Sequence, residues 1–175
     1  MTIPTNTDSP QTPPTSPTDS PDACLLTIWT DQADIARAAD RAGIERVGVD
    51  LEHLGKAERQ AGRGTWISPH TLADLRTVTA SLAGAKGFAR LNPVHAGTGA
   101  EIDAALDAGA QVLMVPMVRS ANDAAEFAGR VNGRAVTVVL VEHRDAVEQI
   151  DAIATTSGVD EIHIGVNDLS LSLAQ

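Results

Sequence analysis

Four short motifs hold most of the side chains in this 175-residue chain that could do chemistry. Asp50, Glu52 and His53 stand together; Arg90 and Asn92 flank one leucine; Glu142 adjoins His143; and Asn167 adjoins Asp168. Each motif ends a run rich in Val, Ile or Leu. Glu142 and Asp168 follow successive runs. If those runs are neighbouring strands, about 4.8 Å apart, the two carboxylates repel unless a cation or a proton lies between them. A hard divalent ion fits, because Mg²⁺ takes one or two carboxylates and completes its shell with water and substrate oxygens. The alternative is that Asp168 caps a helix starting at Leu169. Asp50 and His53 have the spacing of a carboxylate orienting an imidazole, which would make His53 a general base; an incidental surface pair has the same spacing. Arg90 closes an otherwise apolar run, a costly place for a cation without an anion. A substrate carboxylate or enolate would answer that need, as would a structural pair with Asp50 or Glu52. His70 and His95 read as loop or helix-start residues, His163 as a residue packed within an apolar strand, and Arg119 and Arg144 as residues at helix starts.

Regular elements must position these groups. The apolar runs Cys24–Trp29, Arg46–Leu51, Gly87–Leu91, Gln111–Val115, Val136–Val141 and Glu161–Ile164 have the length of buried strands. Ala-rich stretches at helical spacing separate them: Asp31–Ala42, Pro69–Ala83, Ala100–Ala108, Ser120–Val131 and Arg144–Thr156. Ile35, Ala38, Ala39 and Ala42 form an apolar stripe. Ser120 with Asp123 predicts an N-cap, and Pro69 suits a first helical turn. Gly43, Gly84, Gly109, Gly133 and Gly158 each follow a helical stretch, where a left-handed residue ends a helix. Their spacings of 41, 25, 24 and 25 residues set a βα beat, which predicts a parallel sheet. The long first interval places extra residues in a polar loop, Leu54–Ser68.

Six βα units suit either a doubly wound sheet or most of a (β/α)₈ barrel. A doubly wound nucleotide binder carries a glycine-rich turn after its first strand, whereas Thr30 and Asp31 follow Trp29 here. No P-loop pattern occurs either. The barrel is therefore expected, with the motifs gathered on the C-terminal rim of its strands.

Composition narrows the partners. A net charge of −10 and 2% aromatics argue against nucleic acid and membrane partners. Cys24 is the only cysteine, so neither an internal disulfide nor a cysteine-only zinc site can form. No apolar run approaches the ~20 residues of a membrane helix, and a cytoplasmic protein is expected. Residues 1–22 hold six of the nine prolines. They lack the apolar h-region of a signal peptide and read as a disordered tail, leaving 23–175 as the folded domain.

The stretches VGVDLEH (47–53), ARLNP (89–93), GAQVLMVPMV (109–118), VLVEHRDAV (139–147) and GVDEIHIGVNDLSLSL (158–173) resemble, in order, the HpcH/HpaI aldolase and citrate lyase β-subunit family. The resemblance implies a (β/α)₈ barrel that binds Mg²⁺ or Mn²⁺ and cleaves or forms C–C bonds next to a 2-oxo acid through a metal-stabilised enolate. It implies Glu142 and Asp168 as metal ligands and Arg90 on the substrate's oxo oxygen. Asp50 with His53 would be the base, and the backbone amides of Gly165 to Asp168, Asn167 among them, would meet the substrate carboxylate. His53 leans toward the aldolases, since the citrate lyase branch carries an acidic residue there. A citrate-lyase-like acyl-CoA lyase and a non-catalytic remnant are the alternatives. The departures are His143 where the family has Thr, and Val166-Asn167 where it has Pro. The chain also stops as a sixth helix should begin, so the barrel is expected to be incomplete. Two bare apolar edges would then make the isolated chain poorly stable or self-associating, and a homo-oligomer is expected.

Overall fold

The computed structural model describes residues 24–56 and 68–174. The Pro-rich segment 1–22 and most of the expected loop Leu54–Ser68 lie outside the described residues. Six strands, β1 (Thr27–Trp29), β2 (Arg46–Asp50), β3 (Lys86–Arg90), β4 (Val112–Val115), β5 (Val136–Val141) and β6 (Glu161–Ile164), form one sheet in the order β1-β2-β3-β4-β5-β6. All pair in parallel.

The sheet curls. Arg46 on β2 forms a forked ion pair with Glu161 on β6, its Nη1 lying 2.7 Å from Oε2. Four strand spacings separate these strands, about 19 Å in a flat sheet, beyond an arginine's reach. Residues of alternate parity divide between two cores. Phe88, Val112, Met114, Val138 and Leu140 pack together on the concave side. Val47, Val49, Ala89, Leu113, Val115, Val139 and Val141 pack beneath helices. Strands in sequence order with helices over one face are the incomplete (β/α)₈ barrel expected from the βα beat.

The helices are α1 (Ala33–Arg41), α2 (Leu72–Thr79), α3 (Thr98–Asp107), α4 (Ala121–Val131), α5 (Arg144–Glu148), α6 (Ile150–Ala154) and α7 (Val166–Leu173). Ser120 caps α4 in a reciprocal box with Asp123, as its spacing predicts. Other expectations need correction. Thr71, not Pro69, starts α2, through a box with Asp74. The buried residues of α1 are Ala36 and Ala39, while Ile35 is exposed; Asp34, Arg37 and Arg41 mark the solvent face, and Ala38 lies beside them rather than in the buried stripe. Arg144–Thr156 breaks at Gln149 into two helices of 5 residues each. Gly43, Gly109, Gly133 and Gly158 do adopt positive φ. Gly84 does not need to: the Asp40 carboxylate accepts the N–H groups of Ala83, Gly84 and Ala85 and holds that turn. Among the described residues, no helix is long and apolar enough to cross a membrane.

Candidate active site

The concave parity of β2 and β3 delivers Asp50 and Arg90 to the same rim. Their backbones are register partners, so the side chains meet directly. Arg90 donates from Nε to Asp50 Oδ1 at 2.8 Å and from Nη2 to Oδ2 at 2.7 Å, the planar two-bond geometry that lysine cannot supply. Lys56, buried six residues beyond the strand, binds the same carboxylate. Glu52 Oε2 stands 3.6 Å from both Lys56 Nζ and Arg90 Nε. Two backbone contacts complete the cradle. Glu52 N–H donates to Asp50 Oδ1 at 3.2 Å, and Asp50 N–H donates to His70 Nδ1 at 3.2 Å. Burial by itself pushes the Asp50 carboxyl up, yet Arg90 and Lys56 bring it down to about 2. Trp29 at the end of β1 lies under the guanidinium, 5.6 Å from ring centroid to Cζ. Gly48 makes room for that ring, since a Cβ there would come within 2.6 Å of Trp29 Cε3.

Across the rim, Glu142 follows β5 and is 4% exposed. Its Oε1 accepts the N–H of Met117 at 2.9 Å. Met117 holds φ at +54°, a left-handed conformation uncommon for a side chain of its size. Burial raises the Glu142 carboxyl most. The Met117 N–H opposes that, the charges of Glu52 and Asp168 add to it, and Arg90 offsets only part, leaving the group at about 7. Asp168 lies in the first turn of α7, which begins at Val166 rather than Leu169, so Asp168 is inside the helix and not its cap. Gly165, the residue before that helix, cannot carry a side chain without collision. A Cβ there would lie 2.6 Å from Glu142 Oε2.

Glu142 is thus a buried carboxylate facing two further negative charges with only partial compensation. A hard divalent cation relieves that imbalance and accepts two carboxylates. The donor chemistry of Glu142 and Asp168, two carboxylates, is that of a hard-ion site, and among the described residues no group of three or more His, Cys, Asp or Glu is assembled for one.

The expected site residues do not all converge. His53 is exposed and lines a cavity of about 370 Å³ together with Leu51, His70, Leu91, Asn92 and Glu101. Among the described residues the expected Asp50–His53 hydrogen bond is not formed, because two cations already engage Asp50. Asn167 is exposed in the first turn of α7. His143 caps α5, its Nδ1 accepting the N–H of Asp145 at 3.2 Å.

The sequence profile of the HpcH/HpaI aldolase/citrate lyase family matches residues 25–175. This chain belongs to that family. It is 29% identical over 178 residues to a hydroxypyruvate/pyruvate aldolase of Pseudomonas aeruginosa, covering 83% of this chain and 61% of that protein. It is 31% identical over 169 residues to a 2-keto-3-deoxy-L-rhamnonate aldolase of Klebsiella pneumoniae, covering 79% and 58%. The chain therefore spans about three fifths of these relatives. In fold it is similar to an HpcH/HpaI aldolase from Desulfitobacterium hafniense, with a TM-score of 0.67 at 23% identity over 86% of this chain and 65% of that one.

Within this HpcH/HpaI chain, sequence reasoning missed Lys56, His70, Met117 and Trp29. Lys56 gives no periodic signal, being a lone cation past a strand end. His70 supports Asp50 through its ring nitrogen, a contact no spacing announces. The parity of Trp29 with Gly48 and Arg90 across β1–β3 was readable once the strands were aligned.

Proposed function

We propose that this chain carries the metal and oxo-acid half of an aldolase-type carbon–carbon lyase site acting on 2-oxo acids such as pyruvate or hydroxypyruvate. The observation that carries the proposal is the buried, only partly compensated Glu142 carboxyl on the same rim as an arginine already fixed by Asp50. In this reading Glu142 and Asp168 hold Mg²⁺ or Mn²⁺. A divalent ion there supplies Lewis acidity toward the substrate's 2-oxo group. Arg90, its Nε and Nη2 engaged by Asp50, presents its remaining edge to the oxygen where negative charge develops as the C–C bond breaks. Asp50 is then a positioning residue for Arg90 rather than a partner of His53. The N-terminal turn of α7, with Asn167, offers backbone N–H groups to the substrate carboxylate, whereas the expected Gly165 N–H is already donated to the Val141 carbonyl at 3.0 Å. The family resemblance, rather than the cavity His53 lines, supports this residue in the loop leaving β2 as the group that removes the hydroxyl proton of the aldol.

The relatives' names support pyruvate and hydroxypyruvate as the oxo-acid class, and the family description supports the reaction. The test is pyruvate release from 4-hydroxy-2-oxo acids with and without EDTA. Release that EDTA stops and Mn²⁺ restores supports the reading. A folded chain that releases no pyruvate under any metal overturns it and favours a non-catalytic member of the family.

A further inference from the structure

We infer that Asn92 and Glu101 form a positioning clamp for the turn that carries His53, setting the rate of proton transfer without touching substrate or metal. The inference rests on the aldolase reading above only for its kinetic consequence; the clamp itself is geometric.

Asn92 lies two residues beyond β3. Its Oδ1 accepts the backbone N–H groups of both His53 and Leu54, each at 2.8 Å. Its Nδ2 donates to Glu101 Oε1 at 2.7 Å. These contacts fix the amide's orientation. Two N–H donors require the oxygen on one side, and a carboxylate requires the NH₂ on the other.

Glu101 is held in turn. It sits in the first turn of α3, where the helix dipole favours a carboxylate. His95 Nδ1 accepts the N–H of Gly97 at 3.1 Å, and its Nε2 stands 3.0 Å from Glu101 Oε1 as a close contact without hydrogen-bond geometry. Gly97 leaves space for that ring, because a Cβ there would lie 2.7 Å from His95 Cε1. The N–H of His95 donates to the Oγ1 of Thr98, which is fully buried, at 2.8 Å. The whole β3–α3 loop is therefore organised around presenting one amide to the neighbouring loop.

What that amide grips is the backbone at His53. The imidazole itself is exposed, so packing does not fix where it leaves the chain; the Asn92 clamp fixes the backbone from which it departs. A base displaced by about 1 Å loses much of its rate while ground-state binding is unchanged.

Reversing the polarity of the clamp tests this in the full chain. Asn92→Asp keeps the acceptor for His53 and Leu54 but sets a carboxylate against Glu101. Adding Glu101→Gln restores a donor–acceptor pair. For Asn92→Asp the expected result is a kcat about tenfold lower, with the KM for the oxo acid and the Mn²⁺ affinity within twofold of wild type. The His53 and Leu54 amides should also exchange with solvent about tenfold faster by NMR. The double variant Asn92→Asp/Glu101→Gln should recover most of both. A double variant no better than the single one overturns the clamp, as does an Asn92→Ala variant with unchanged amide exchange. Equal losses in kcat and in oxo-acid or Mn²⁺ affinity would overturn the kinetic assignment. If wild type shows no lyase activity the aldolase reading fails, and amide exchange still decides the clamp.

Discussion

Two buried carboxylates on one rim, Asp50 and Glu142, have opposite fates. Both are 4% exposed. Asp50 receives Arg90 on one side and Lys56 on the other and is held at about 2. Glu142 receives one backbone N–H, faces the charges of Glu52 and Asp168, and rises to about 7. Burial acts the same way on each, so the difference comes from the partners the sequence supplies. At the β2–β3 end two carboxylates meet two cations and the local charge closes. At the β5–β6 end Glu142 faces the charges of Glu52 and Asp168, and Arg90 offsets them only in part. The first arrangement fixes Arg90, and the second holds the Glu142 carboxyl at about 7.

That contrast predicts opposite responses to the same chemical change. Asp50→Asn leaves Arg90 and Lys56 without their shared anion, and removing one partner of a buried ion pair costs about 3 kcal/mol or more. A urea midpoint well below wild type is expected, and an unchanged one would show that the knot is not structural. Glu142→Gln should cost nothing in the metal-free chain at pH 8 and should raise its stability by about 1–2 kcal/mol.

The pH dependence has two arms of opposite sign. The folded Asp50 lies at about 2, below its ordinary 3.8. Its contribution is present above 3.8 and disappears as pH falls through about 2. The folded Glu142 lies at about 7, above its ordinary 4.5. Its contribution is complete below 4.5 and disappears as pH rises through about 7. Chemical denaturation from pH 4 to 9 without metal should therefore show stability falling between those values in wild type and a flatter profile in Glu142→Gln. Saturating Mn²⁺ at pH 8 should reverse that fall, since a ligand at a hundred times its Kd adds about 2.7 kcal/mol.

Smaller effects sharpen the comparison. Gly165→Ala places a methyl group 2.6 Å from Glu142 Oε2 and 2.7 Å from its Cβ and should weaken Mn²⁺ binding about tenfold while lowering the melting temperature. Arg90→Lys keeps a charge but loses the fork, so oxo-acid KM and turnover should both suffer. His53→Ala should lower kcat alone. Matching KM losses in the two variants would contradict that division. Trp29→Leu, which removes the ring beneath Arg90, should cost about 0.5–1 kcal/mol.

Much of this was legible in the sequence. Val136–Val141 and Glu161–Ile164 are strands over the very residues their apolar runs mark, and Ser120–Asp123 caps a helix as its spacing requires. The glycine beat gave the parallel order because four of those glycines do take positive φ. The buried face of α1 was legible in its charges rather than its alanines, since Ala36 and Ala39 lie opposite Asp34, Arg37 and Arg41 while Ala38 lies beside them. In the site, Asp50 and Arg90 were visible as strand-end residues, and both possible partners of Arg90 were in view. The choice between them depended on register, since Asp50 pairs with Arg90 across β2–β3. Lys56 and the Asn92–Glu101 bond escaped notice because each joins loops whose shapes no local pattern encodes.

Calorimetric titration of Mn²⁺ into wild type and into Glu142→Ala/Asp168→Ala tests the proposed metal site most directly, with a thermal melt to establish that the double variant is folded. The expected result is one saturable site in wild type and no measurable heat in a folded double variant. Undiminished Mn²⁺ binding to that variant would contradict the assignment of the β5–β6 carboxylates as the metal site.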